Sequence, residues 1–145
     1  MPRLSLGLGV SSSSKLPSAA APSGIDVATT NAIVLSGLTG GYYSGLNGTY
    51  TKSGDPASVY SGGVELQATG AVFFNSAYTG GNRDGAAIWY GPNFYGGGGV
   101  GWWVSYYDDN TAVLASVITA DSTTVPISGY SNAAGYTGTI ILTAA

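Results

Sequence analysis

The 145-residue chain contains no cysteine and no histidine. Without cysteine, neither a disulfide nor a thiolate metal site can hold the fold together. Without histidine, the usual general base near neutral pH and the commonest transition-metal ligand are both missing. Charge is scarce too: Lys and Arg number 4 and Asp and Glu 7, which is 8% of the chain, against about 25% in an average soluble domain. The net charge of −3 provides no basic footprint for displacing counterions from nucleic acid, so no nucleic-acid partner is expected. No run approaches the roughly 20 apolar residues of a membrane-spanning helix, so no membrane partner is expected either.

The carboxylates do not suggest catalysis. Glu65 is the only glutamate, and most of the aspartates (Asp26, Asp55, Asp84, Asp108, Asp109, Asp121) sit beside Gly, Asn or Ser in predicted turns. There an aspartate ordinarily accepts hydrogen bonds from nearby backbone, whereas glycoside hydrolysis needs two carboxyl groups facing each other across a sugar. Ser14-Lys15 lies in a linker-like stretch, where nothing would hold a nucleophile and base in register. Asp108-Asp109-Asn110 offers oxygen atoms to calcium but lacks the spaced ligand loop of an EF-hand, and reads as a polar turn. Arg83 beside Asp84 reads as an exposed ion pair of little energetic weight. The expectation is a protein without catalytic residues, cofactor or metal.

What is abundant is apolar and aromatic: 44% hydrophobic residues, 24 glycines and 11 tyrosines. That content can offset chain entropy and fold one domain. From Asn31 onward, β-branched and aromatic runs alternate with glycine turns. Strands are predicted at Ala32 to Leu35, Gly48 to Lys52, Ser58 to Ser61, Val64 to Ala68, Ala71 to Asn75, Ala86 to Tyr90, Val100 to Tyr107, Ala112 to Ile118, Thr124 to Ser128 and Gly138 to Thr143. Gly40-Gly41, Asn47-Gly48, Gly62-Gly63 and Gly80-Gly81-Asn82 supply tight reversals, and Gly96 to Gly99 a loop or a close backbone approach. One strand every eight to twelve residues, with no apolar stripe at helical period, predicts an all-β fold: an antiparallel β-sandwich or small barrel spanning 31–145.

Residues 1–30 differ in kind. Leu4, Leu6, Leu8 and Val10 alternate with Ser5, Gly7 and Gly9, which is strand periodicity with all the bulk on one face. The run is too short and too glycine-rich for the apolar region of a signal peptide. Four serines, Pro17, Pro22 and Gly24 follow and read as a flexible linker. The segment is therefore predicted to be an extended N-terminal arm whose strand adds to an open sheet edge, on its own body or on a neighbour.

Trp89, Tyr90, Tyr95, Trp102, Trp103, Tyr106 and Tyr107 form the densest aromatic set. Within a strand, Trp102 and Trp103 point to opposite faces, as do Tyr106 and Tyr107. One member of each pair is expected in the core and the other outward, as a subunit interface or a platform for sugar rings.

The segment Leu35-Ser36-Gly37 … Gly45-Leu46-Asn47-Gly48-Thr49-Tyr50-Thr51 with Val59-Tyr60, followed by Ile88-Trp89-Tyr90 and Gly101 to Tyr107, resembles an N-G-x-Y β-module of tailed-phage virion structural proteins. Arg3 to Val10 is similar to the N-terminal arm of such proteins. The resemblance implies a virion location, on the surface of the phage particle. It also implies a homo-oligomer (dimer or trimer) and, as partner, the major capsid protein or another virion protein. The expected role is capsid decoration or cement; a tail or fibre adhesin that binds host glycans through the aromatic patch is the alternative. A free secreted carbohydrate-binding module is a third reading, against which the missing signal peptide counts.

Overall fold

β-branched and aromatic runs fit a pleated, half-buried surface, and here they build strands almost throughout. The structure, a computed structural model, describes residues 23–40, 43–53, 60–61, 64–65, 68–79, 85–92, 99–106, 112–132 and 135–145. In chain order the strands are β1 (Gly24–Asp26), β2 (Ala32–Thr39), β3 (Gly48–Lys52), β4 (Tyr60–Ser61), β5 (Val64–Glu65), β6 (Val72–Asn75), β7 (Ala86–Pro92), β8 (Val100–Tyr106), β9 (Ala112–Ile118), β10 (Thr124–Pro126), β11 (Ser131–Asn132) and β12 (Thr137–Ala144). A single 3-10 turn, Tyr43–Leu46, is the only helical piece among the described residues.

Eight strands form one antiparallel sheet in the order β11-β9-β8-β7-β6-β3-β2-β12, while β1 pairs with β10 and β4 with β5. The two ends of the large sheet, β11 and β12, are successive in the chain and separated by residues 133–136 alone. Four residues cannot span a flat eight-stranded sheet, whose strands lie about 4.8 Å apart. The sheet therefore curls. Beyond β12, the Leu142 N–H donates to the Ile127 carbonyl at 3.1 Å, so the segment after β10 lines the outer edge of β12. The curled sheet and the β1–β10 ribbon together enclose the interior, and the fold is the all-β, antiparallel one that the strand spacing predicts.

One core fills the inner face. Ile33 and Leu35 of β2, Tyr50 of β3, Phe73 of β6, Ile88 of β7, Trp102 and Val104 of β8, and Ile140 and Leu142 of β12 pack together there, and Ile25 of β1 and Val125 of β10 close it from the ribbon side. The opposite face of β6, β7 and β8 carries a second cluster of Val72, Ala87, Trp89 and Trp103.

Several strands differ from their predicted extents. β2 runs on to Thr39, past Ser36-Gly37, because Gly37 adopts φ +89° and Gly138, across from Leu38, adopts φ +97°. A Cβ on either glycine would strike backbone of the other strand, the Thr139 carbonyl from Gly37 and the Gly37 carbonyl from Gly138. A shift of register between Gly138 and Ile141 accommodates the crowding as a bulge. Gly24, assigned by sequence to the linker, starts β1, which pairs with Thr124–Pro126 and buries Ile25. The ordered body thus includes residues that the sequence places in the arm. The predicted arm residues Leu4, Leu6, Leu8 and Val10 lie outside the described residues, as do the turns at Gly62-Gly63 and Gly80-Gly81-Asn82 and most of Gly96 to Gly99.

Candidate functional site

Strand alternation places the aromatic residues as geometry requires. Trp102 joins the inner core and Trp103 the outer cluster. Trp103 stands directly across from Trp89 on β7, and Trp102 across from Tyr90. The Trp89 and Trp103 rings lie 6.1 Å apart at 31°; those of Tyr90 and Trp102 are 5.5 Å apart at 59°. Tyr106 meets Tyr43 and Tyr78 edge-on, each at 6.2 Å, the arrangement favoured by ring quadrupoles.

The expected outward half of this set is not outward. Trp89 and Trp102 are fully buried, Trp103 is 4% exposed, and Tyr90 and Tyr106 are 6% exposed. Each indole N–H also finds an acceptor within the chain: Trp89 donates to the Ser105 hydroxyl at 2.9 Å, Trp103 to the Gly91 carbonyl at 2.9 Å and Trp102 to the Asp121 carbonyl at 3.0 Å. A ring offered to a sugar or a partner keeps one face free, and these keep none. These five residues are core, which corrects the expectation of an interface or glycan patch. The physical reason is that both faces of β7 and β8 are covered: Ala68 and Phe74 pack on the outer cluster. Tyr95 and Tyr107 lie outside the described residues.

The aspartates that can be placed behave as turn residues. Asp26 accepts from the Ala28 N–H at 2.8 Å. Asp121 accepts from the Thr123 N–H at 2.8 Å and the Thr123 hydroxyl at 2.7 Å, and these bonds hold its carboxyl below the ordinary carboxylate range. Among the described residues, no three His, Cys, Asp or Glu side chains gather as a metal site. Asp108, Asp109, Arg83 and Asp84 lie outside them.

Asn47 makes a use of its amide that the Asn-Gly turn signal does not foretell. Its Oδ1 accepts from the Leu38 N–H at 3.1 Å and its Nδ2 donates to the Leu38 carbonyl at 2.8 Å. The side chain thereby acts as a short piece of strand beside β2. Nearby, the Tyr50 hydroxyl donates to the Leu46 carbonyl at 2.8 Å inside the core. Burial pushes the Tyr50 phenol well above its usual value, partly offset by a hydrogen bond with Asn75. Burial does the same to Tyr130, whose hydroxyl has no hydrogen-bond partner among the described residues.

A concave feature with space for another molecule lies elsewhere, at a gap in the sheet. β9 pairs with β11 only at Ala115 and Ser116, so Val117 and Ile118 continue without a strand on that side among the described residues. Facing this edge is the β1–β10 ribbon. Between them runs a half-open groove of about 390 Å³, lined by Ser23, Gly24, Val117, Pro126, Ile127 and Ser128, with Thr119, Asp121 and Thr124 also in its wall. Its wall is mainly apolar, and Ile118, at 57% exposed, stands on the same strand edge. Gly24 packs so closely that a Cβ there would strike the Thr124 methyl group. Sequence reasoning missed this groove, since Gly24 and Val117 are distant in sequence and meet only through the pairing of β1 with β10.

The outer face of β12, β2 and β3 forms a third surface. Thr143 lies across from Val34 and Ile141 from Ser36; Val34 lies across from Thr49 and Ala32 from Thr51. None of these side chains is charged, and Ile141 is 48% exposed.

No family model, no curated protein and no solved structure matches the chain. Its chemistry is therefore read from its own residues.

Proposed function

We propose that the protein is a non-enzymatic structural component of a tailed-phage particle, a capsid decoration or cement protein. On this reading its rigid β body sits on the shell and its N-terminal arm contributes attachment. The observation that carries the proposal is the uncharged outer face of β12, β2 and β3, where Val34, Ser36, Thr49, Thr51, Ile141 and Thr143 alternate outward from a fully packed core. Such a face makes contact by shape and neutral hydrogen bonds, which salt does not screen. A particle protein needs that property more than a free enzyme does. The resemblance of the Asn47-Gly48-Thr49-Tyr50 region and of Arg3 to Val10 to virion proteins supports the same assignment. The major capsid protein is the partner this implies, and the particle surface the location. The adhesin alternative has less support, because five of its seven platform residues, Trp89, Tyr90, Trp102, Trp103 and Tyr106, are inside the body.

The test is co-sedimentation of the purified chain with phage shells that lack it, at low and at high salt. Saturable binding that survives high salt, together with a raised melting temperature of the shell, is expected. Failure to sediment with shells, or binding abolished by moderate salt, would remove the proposal. The truncation that probes the arm must stop at residue 22, because Gly24–Asp26 belongs to the body and Ile25 to its core.

A further inference from the structure

We infer that the groove between the free edge of β9 and the β1–β10 ribbon is a receptor for the strand Leu4–Val10 of a second copy of this chain. The inference rests on the reading of the protein as an assembly component, and names the partner and the site.

The groove offers what an added strand needs. Beyond Ser116, β9 has no strand beside it on that side among the described residues, so its edge presents backbone groups that an extended peptide satisfies. The wall contributed by Val117, Pro126 and Ile127 is apolar and takes side chains from one face of such a strand. Leu4, Leu6, Leu8 and Val10 supply that one face, because every second residue of a strand projects to the same side. Little charge opposes the match: Leu4–Val10 contains none, and the one carboxylate in the groove wall, Asp121, accepts hydrogen bonds from Thr123.

The place where the described chain begins identifies the occupant. Ser23 is itself part of the groove wall, so the described chain begins at this site. To fill its own groove the chain would have to reverse within 11–22 and run back over its exit. Pro17 and Pro22 lie in that stretch, and proline restricts both itself and the residue before it to extended conformations. Extended, residues 11–22 span up to about 40 Å, more than the diameter of roughly 30–35 Å expected for a body of this size. That reach carries the arm to the equivalent groove of a neighbour. Each copy then gives an arm and receives one, either reciprocally in a dimer or head to tail in a closed ring.

The absence of native cysteine makes the test direct. In the full-length chain, Leu6→Cys combined with Ser128→Cys introduces the only two thiols, one on the arm and one on the groove. Mild oxidation is expected to give covalent dimers and larger species on a non-reducing gel, well above the yield from either single variant. A cross-linked monomer would overturn the inference by placing the arm in its own groove. Yields no higher than those of the single variants would overturn the groove as the receptor. A second measurement avoids thiols: Leu6→Asp with Leu8→Asp, and separately Val117→Asp, should each weaken self-association in sedimentation at least tenfold with an unchanged near-ultraviolet circular dichroism spectrum. Unaltered self-association in both would sink the idea. Shell binding is scored apart. Cross-linked oligomers that ignore shells leave this inference standing and remove the decoration proposal, while shell binding without cross-links does the reverse.

Discussion

The outer face of the large sheet has two halves that obey the same alternation and have opposite fates. On β6, β7 and β8 the outward residues are Val72, Ala87, Trp89 and Trp103, all buried. On β12, β2 and β3 they are Thr143, Ile141, Val34, Ser36, Thr49 and Thr51, exposed or half-buried. The halves are continuous, since Thr51 of β3 lies directly across from Phe74 of β6. Backbone geometry does not account for the difference, because both halves are antiparallel and pleated, and a register shift interrupts the pairing in each. Side-chain chemistry accounts for it: a large apolar surface is left in water only at a cost of about 25 cal/mol per Å², whereas Thr and Ser meet water without it.

The largest effect should come from breaking the aromatic half. Trp89→Ala removes a fully buried side chain and leaves the Ser105 hydroxyl without its indole donor. A loss of about 3–5 kcal/mol in urea unfolding is expected. A loss under about 1 kcal/mol would mean that this face is not packed as a core. Trp89→Phe should fall between, since most of the ring contact survives.

Next in size is the contact that holds β2 beside the 3-10 turn. Asn47→Ala deprives both the N–H and the carbonyl of Leu38 of a partner. The expected cost is about 1–3 kcal/mol, and Asn47→Asp should recover only the accepting half of it. If Asn47→Ala were neutral, the amide would be decorative and the Asn-Gly pair a turn signal only.

What the sequence revealed and what it hid follow from the same alternation. β3 and β9 occupy their predicted spans, Gly48–Lys52 and Ala112–Ile118, because each is a β-branched run bounded by turn residues. β1 was invisible because Gly24-Ile25-Asp26 follows a proline and becomes a strand only by meeting Thr124–Pro126, a partner no local pattern names. The opposite-face placement of Trp102 and Trp103 was legible; what covers the second face was not. A signal existed nonetheless. Ala86-Ala87-Ile88-Trp89-Tyr90 is a continuous apolar run rather than an alternating one, and such runs mark strands buried on both faces. Thr49-Tyr50-Thr51 alternates, and its outward half is wet. Reading runs against alternation separates β7 from β3, but not β2, whose run Ala32-Ile33-Val34-Leu35 is continuous and still leaves Val34 half-buried on the wet face. The groove would still have been missed, as its walls come from β1, β9 and β10.

Alkaline pH probes the core beneath both halves. The Tyr50 and Tyr130 phenols ionise far less readily in the folded chain than at the ordinary tyrosine value of 10.0, because burial disfavours the phenolate. A raised native value means that the unfolded chain releases these protons first. Stability is then complete below pH 10 and falls as pH rises above it, by roughly 1 kcal/mol per pH unit for each such tyrosine. The measurement is the unfolding midpoint against pH, alongside tyrosinate absorbance. Tyr50→Phe should be less stable at neutral pH, having lost the bond to Leu46, yet decline less steeply in alkali. An unchanged slope would show that Tyr50 is not the group that titrates.

The smallest effect on stability should come from the threonine half, and there the size is the point. Thr49→Ala and Thr143→Ala remove exposed hydroxyls that make no bond holding the body, so each should change stability by no more than about 0.5 kcal/mol. The two residues flank Val34 on neighbouring strands, so the double variant tests one patch without touching the core. If this half is the surface laid against a shell, the double variant should fold like the parent and bind shells measurably less well. A double variant that binds shells as the parent does would detach the uncharged face from the proposed role. One that unfolds more easily by several kcal/mol would erase the distinction between the halves, since it would make the wet face as structural as the aromatic one.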